Sequence, residues 1–196
     1  MRRAWTRFWL CASVLAACAA AAGQDSSAPK RANELTLAGL RPGKDTLATA
    51  EAHYKAKYRR TVPGASEIAE WADECTGRTL ILELGEKKTI QSVTISALGR
   101  LLPPGNTNCR ETLRDALKAT LWKTGRGLKL GDPRDRVIEL YGEPNSSGPS
   151  TKGNRELELL FYAFDWAGSD VPQVMEVSCE RATGRVVEIT LAFPSL

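Results

Sequence analysis

The strongest constraint on the fold is a short helix whose two ends are both marked in the sequence. Asp132 can accept free backbone N–H groups at a helix start, and Pro133 suits the first helical position, where no N–H is needed. Gly142 can adopt the left-handed conformation that ends a helix, and Pro144 prevents continuation. The sequence therefore predicts a helix over 133–141.

Strand patterns follow this helix. Met175, Val177 and Cys179 alternate with polar residues, which is typical of a strand with one buried face. Between the helix and these strands, the stretch 145–153 consists of small and polar residues, so we expect a loop there. The predicted strands lie at about 156–165, 172–180 and 185–193.

The first half of the chain shows a similar order of elements. Apolar spacing predicts a helix over about 45–58, whose basic end (Lys55, Lys57, Arg59 and Arg60) we assign to a solvated surface. A short strand at 68–72 precedes a hairpin in which Leu80, Leu82 and Leu84 face inward and Val93 and Ile95 alternate on the second strand. A further amphipathic helix is expected over 110–122.

These two halves read as a tandem repeat. Helix, hairpin and glycine come in the same order in both, although two helix-plus-hairpin segments can also match by chance. We predict an α+β fold in which each repeat is a helix pair packed on a small antiparallel sheet of about three strands. The first repeat spans 35–98, the linker 99–109 and the second repeat 110–196.

The beginning of the chain has the pattern of an export signal. Residues 1–23 carry arginines, then an apolar core too short to span a bilayer, and 24–34 form a polar, flexible tether. Cys18 stands where a bacterial lipoprotein signal places its lipidated cysteine. Ordinary cleavage within 19–23 is the alternative. We expect an exported protein, either lipid-anchored in the periplasm or outer membrane, or secreted.

Charge excludes one class of partner. The formal net charge is +4, and removal of the three leader arginines leaves +1. Nucleic-acid binding requires a clustered basic face, so this charge gives no basis for a nucleic-acid partner. We expect protein partners among envelope or outer-membrane components.

Three cysteines remain after the leader, an odd number for an oxidising compartment. Cys75 and Cys109 lie in polar, loop-like sequence, whereas Cys179 shares the inward face of its strand. We therefore predict a disulfide between Cys75 and Cys109 and a buried free thiol at Cys179.

One family resemblance rests on a short motif. Its residues are Gly131, Val137, Gly142 and Pro144, followed by an aromatic strand and a closing hairpin with Gly184, Arg185, Val186, Val187 and Ile189. This pattern resembles the SmpA/OmlA or BamE-like outer-membrane lipoproteins, and the tandem arrangement resembles the β-lactamase-inhibitor-protein fold. The resemblance implies helices packed on an antiparallel sheet and a binding role rather than a catalytic one.

No catalytic or metal-binding pattern stands out. His53 is the only histidine and lies in the middle of a predicted helix. There is no G-x-S-x-G nucleophile motif and no cysteine or carboxylate at ligand spacing from His53. We therefore expect no cofactor, no metal and no enzymatic activity.

Aromatic residues supply the candidate binding surface. Tyr162, Phe164 and Trp166 share one face of a strand, and Trp71 of the first half could extend that surface. Burial of both strand faces in the core is the alternative interpretation. The sequence thus favours a non-enzymatic interaction module of the cell envelope, acting in outer-membrane or envelope protein assembly. The alternative is a secreted inhibitor that binds an enzyme through its sheet surface.

Overall fold

Eight strands form one antiparallel sheet in a computed structural model of the chain. The structure describes residues 32–62, 66–99, 121–164, 167–168, 172 and 174–193, which belong to one unit, 31–196. The strands are β1 (Arg59–Thr61), β2 (Glu67–Asp73), β3 (Arg78–Leu84), β4 (Ile90–Ser96), β5 (Ser146–Lys152), β6 (Arg155–Ala163), β7 (Val174–Glu180) and β8 (Arg185–Ala192). Their order across the sheet is β1-β2-β3-β4-β8-β7-β6-β5.

The described residues include two α-helices, which pack on one face of this sheet. Helix α1 is Leu47–His53 and helix α2 is Arg134–Tyr141, while a 3₁₀ turn, Glu86–Lys88, joins β3 to β4. Leu47 and Ala50 of α1 and Val137 and Tyr141 of α2 are buried against the inward-facing strand residues. One hydrophobic core therefore lies between the helices and the sheet.

The predicted fold class is wrong in its main feature. We expected two small sheets, each with its own helix pair, but β4 and β8 pair with each other and join all eight strands into one sheet. Pairing satisfies backbone N–H and C=O groups that two separate sheets would leave exposed at their edges. The predicted helix 110–122 lies almost entirely outside the described residues, so no helix pair is seen in the described part of either half.

The marked helix is confirmed, with one correction at its start. Helix α2 ends where predicted, because Gly142 has a φ of 76° and donates its N–H to the Ile138 carbonyl at 2.7 Å. Asp132 does not cap the helix, since the N-cap residue is Pro133 and no side chain caps it. The Asp132 carboxylate turns back instead and accepts the backbone N–H of Lys129 at 3.0 Å.

Helix α1 is shorter than predicted. It ends at His53, and Tyr54 already has an extended backbone. The basic residues Arg59 and Arg60 lie on the edge strand β1 and not on a helix end, because their side chains pair with Glu70 and Glu67 of β2. Local apolar spacing predicted the helix, and cross-strand pairing overrode it.

A strand also replaces the predicted loop 145–153. β5 occupies most of it and pairs with β6 over its whole length, although it contains Gly148 and Pro149. An edge strand tolerates proline because one of its sides has no partner strand. The other predicted strands and the hairpin between β3 and β4 are confirmed.

Candidate protein-binding surface

The aromatic residues predicted to form a binding surface lie in the core. Trp71 is 0% exposed, and Tyr162 and Phe164 are each 1% exposed. The Trp71 indole donates to the Ala56 carbonyl at 3.0 Å, and the Tyr162 hydroxyl donates to the Gly142 carbonyl at 3.0 Å. These side chains therefore hold the helix layer onto the sheet. Trp166 lies outside the described residues.

The cysteines agree with the prediction as far as the structure describes them. Cys75 is disulfide-bonded, and its predicted partner Cys109 lies outside the described residues. Cys179 is a free thiol and is buried. Burial and, to a smaller extent, the nearby Glu158 carboxylate raise the pKa of this thiol to about 11. The thiol is therefore protonated and unreactive at neutral pH.

The described part of the chain holds no cluster of His, Cys, Asp and Glu suited to a metal ion. None of the helices found there is both long and apolar enough to cross a membrane. His53 is half-buried, with its ring centroid 4.9 Å from that of Tyr54 in an edge-on contact.

A buried carboxylate fixes the segment that precedes α1. Glu34 is 3% exposed and accepts backbone N–H groups from Leu35 at 2.8 Å, Thr36 at 3.0 Å and Arg126 at 3.1 Å. It also accepts the Tyr141 hydroxyl at 2.7 Å. Burial raises the pKa of Tyr141, and the charge of Glu34 raises it further, so the phenol remains a donor. This cluster lies on the face of the sheet that carries the helices, where it stabilises the fold.

The second face of the sheet has no described helix on it, and we call it the open face. Side chains alternate between the two faces of a strand, so the residues between the core positions point to this side. One row crosses all eight strands through directly paired residues, most of them half-buried. The row is Arg59, Glu70, Ile81, Thr94, Thr190, Glu176, Phe161 and Ser146.

Small side chains line the middle of the open face. On the two central strands, β4 and β8, five of the six outward positions carry serine, threonine or alanine. Larger side chains stand on both sides, with Ile81 and Glu83 on β3 and Val174 and Glu176 on β7. We call this central strip the trough; its small residues are Ser92, Thr94, Thr190 and Ala192, all half-buried, whereas Ser96 beyond them is buried.

An ion pair across the open face indicates its curvature. Lys152 Nζ on β5 lies 2.6 Å from Glu188 Oε2 on β8, although β6 and β7 run between them. Three strand spacings in a flat sheet amount to about 14 Å before any offset along the strands. The sheet therefore bends towards the open face between β5 and β8, which makes that part of the face concave.

The charges on the open face do not balance. Three of its five carboxylates have a cation partner: Glu70 with Arg59 at 3.1 Å, Glu188 with Lys152, and Glu180 with Arg155 at 3.7 Å.

The other two carboxylates, Glu83 and Glu176, have no ion-pair partner among the described residues. Glu83 accepts only the Ser92 hydroxyl, at 3.4 Å. These two carboxylates stand on opposite sides of the trough.

A groove at one end of the sheet is electrostatically neutral. It lies at the ends of two hairpins, where Arg155 and Arg181 face Glu156 and Glu180. With two cations against two anions, this groove offers no preference for a charged ligand, which leaves the open face as the better candidate.

Strand alternation in the sequence could have identified the open face. Once Leu80, Leu82 and Leu84 are assigned inward, Ile81 and Glu83 must point outward. The same alternation places Phe161 on the open face, because the next residue of β6, Tyr162, points into the core. What the sequence did not show is that β4 pairs with β8, which brings the outward residues of both halves onto one surface.

Comparisons with known proteins give only distant similarities. No protein-family model and no curated protein matches the chain. The crystal structure of a DUF4309 family protein from Bacillus subtilis is similar with 12% identity and a TM-score of 0.42, over 82% of this chain and 88% of that one.

An extracellular protein containing a SCP domain, from Bacillus anthracis, is similar with 8% identity and a TM-score of 0.41, over 86% of this chain and 49% of that one. Neither similarity is close enough to indicate a function.

Proposed function

We propose that the chain is an exported, non-enzymatic protein of the cell envelope that binds a protein partner through the open face. The observation that carries this proposal is the trough: a strip of small side chains between two sides that each carry a carboxylate with no ion-pair partner among the described residues. Serine, threonine and alanine let a partner chain approach the sheet closely, and Phe161 on the same row offers an aromatic contact.

The envelope location rests on the leader sequence. An acyl chain on Cys18 would anchor the protein, and 24–34 would serve as its tether. We propose that an anchored module of this kind acts in outer-membrane or envelope protein assembly. The intact mass of the mature protein tests this location, because lipid on Cys18 supports the anchor and a lipid-free chain beginning near Gly23 contradicts it.

The same trough supports a second candidate function, inhibition of an enzyme. A concave sheet face can cover a convex surface loop of an enzyme and block access to its active site. The two candidates differ in their partners. An envelope or outer-membrane component as the bound protein supports assembly, and a soluble hydrolase whose activity falls on binding supports inhibition.

One pair of variants tests the open face as the interface. Ser92→Trp places a large ring in the trough, and Glu139→Trp places the same ring on the exposed side of α2. Each variant is used to purify bound proteins from its native cells, after unfolding curves have shown that both variants are folded. We expect Ser92→Trp to lose the partner and Glu139→Trp to keep it.

Undiminished binding by a folded Ser92→Trp variant would contradict the proposal. Loss of binding with Glu139→Trp alone would also contradict it, since that result would place the interface on the helix side.

A further inference from the structure

Two carboxylates make the trough complementary to a basic partner. Glu83 lies on one side of the trough and Glu176 on the other. Arg59, Lys152 and Arg155 of the open face are each paired with a different carboxylate, and Arg185, at the start of β8, donates to the Gly131 carbonyl. An interface excludes water, and a carboxylate that loses water without gaining a cation is costly. A partner that covers these two groups must therefore supply positive charge.

The surroundings of Glu176 favour a lysine or arginine side chain in particular. Glu176 is half-buried between Thr190 of β8 and Phe161 of β6, which are its direct neighbours in the row. The threonine hydroxyl can accept a hydrogen bond from an ammonium or guanidinium group. An aromatic ring beside the same position adds a favourable contact with a cation.

The shape of the trough favours an extended segment. Its small residues follow the direction of β4 and β8, so a chain lying along it can point alternate side chains down to the sheet. Glu83 pairs with Ser92, and Glu176 pairs with Thr190, so the two carboxylates stand at neighbouring rows of the trough. Cations two residues apart in an extended chain match neighbouring rows.

We propose that the partner docks an extended basic segment in the trough, with a lysine or arginine against Glu176 and a second cation against Glu83. This inference rests on the open face being the interface and adds the chemistry of the partner. The occupant is a protein segment with alternating basic residues.

The test uses three fluorescent decapeptides, in which serine alternates with lysine, with glutamate or with glycine. Binding to the wild-type chain is measured by fluorescence anisotropy at low and at physiological salt. We expect the lysine peptide to bind and the other two not to bind. Glu176→Gln should weaken that binding about tenfold, since an isosteric amide removes the charge and keeps the shape.

Glu139→Gln is the matched control, because Glu139 pairs with Arg136 on the exposed side of α2 and faces no trough. This variant should bind the lysine peptide as the wild type does. Equal binding of the three peptides, or unchanged binding by a folded Glu176→Gln variant, overturns the inference.

A second measurement separates this inference from the proposed function. A photo-crosslinking residue at position 94, within the trough, is activated in the native cells, and the attached partner peptide is sequenced. A basic attached segment supports the inference. An acidic or uncharged segment overturns it while the open face remains the interface, whereas capture that survives Ser92→Trp overturns the proposed function itself.

Discussion

The hydroxyl oxygens of Thr94 and Thr190 lie 2.9 Å apart, on the open side of the pair of strands that joins the two halves of the sheet. The two residues are directly opposite each other in the register of β4 and β8. Ile95 and Ile189, and Val93 and Leu191, pair on either side of them and point into the core. The junction thus combines a polar contact outside with apolar contacts inside.

Replacement of either threonine by valine tests how much this hydroxyl pair contributes. Thr94→Val and Thr190→Val should each lower the free energy of unfolding by about 0.5–1 kcal/mol, because a net hydrogen bond is lost and the remaining hydroxyl can still reach water. The double variant should lose little more than either single one. Urea unfolding of all four chains measures the coupling, and full additivity would show that the two hydroxyls do not interact.

Substitution of Glu34 should lower the free energy of unfolding more than substitution of most other polar residues. Glu34→Gln keeps the shape but removes the charge that three backbone N–H groups and the Tyr141 hydroxyl share. We expect a loss of about 2–3 kcal/mol in the free energy of unfolding, since hydrogen bonds to a buried charged group are strong. Glu139→Gln, on an exposed helix position, should change it by less than about 0.5 kcal/mol. Equal effects of the two variants would contradict the role of Glu34.

Low pH should destabilise the edge of the sheet, because protonation of Glu67 removes the charge that Arg60 and Lys88 contact. Hydrogen bonds from Arg60, at 2.7 Å, and then from Lys88 lower the pKa of this carboxyl below 4.5. Because the pKa is lower in the folded state, the stabilisation is complete above the unfolded value of 4.5 and is lost as the pH falls through the folded value. Urea midpoints measured from about pH 7 down to about pH 3 should fall less steeply for Glu67→Gln than for the wild type.

The turn between β3 and β4 contains a strained lysine. Lys87 has a φ of 54°, in the left-handed region that glycine adopts without a steric penalty. Lys87→Gly should raise the free energy of unfolding by about 0.5–1 kcal/mol, because relief of about 1–2 kcal/mol exceeds the added entropy of the unfolded chain. Lys55→Gly, at an exposed position without a left-handed backbone, should lower it. Destabilisation by both variants in thermal unfolding would rule out strain at Lys87.

The cysteines allow a direct chemical test. In a chain beginning at Gln24, Cys179 should resist alkylation in the native state and react once the chain is unfolded, because its thiol is buried and its pKa is raised to about 11. Peptide mapping without reduction should then recover Cys75 linked to Cys109. Alkylation of Cys109 in the unreduced chain would exclude this pairing.

Local patterns in the sequence determined the elements of the fold. Gly142 and Pro144 ended α2 where predicted, and strand alternation placed Leu80 and Met175 inward, because backbone conformation and side-chain period depend only on near neighbours. Predictions that depended on a single strand in isolation were less reliable. The small, polar sequence of 145–153 predicts a loop, but an edge strand tolerates Pro149, and the pairing of β5 with β6 is invisible locally.

Only the tertiary structure decided how many sheets there are and which surface is open. Two separate small sheets and one eight-stranded sheet have the same local sequence pattern. The difference between them is whether β4 pairs with β8. That pairing satisfies backbone groups from residues about a hundred positions apart, so no local preference encodes it. The same pairing brought Glu83 and Glu176 to opposite sides of the trough.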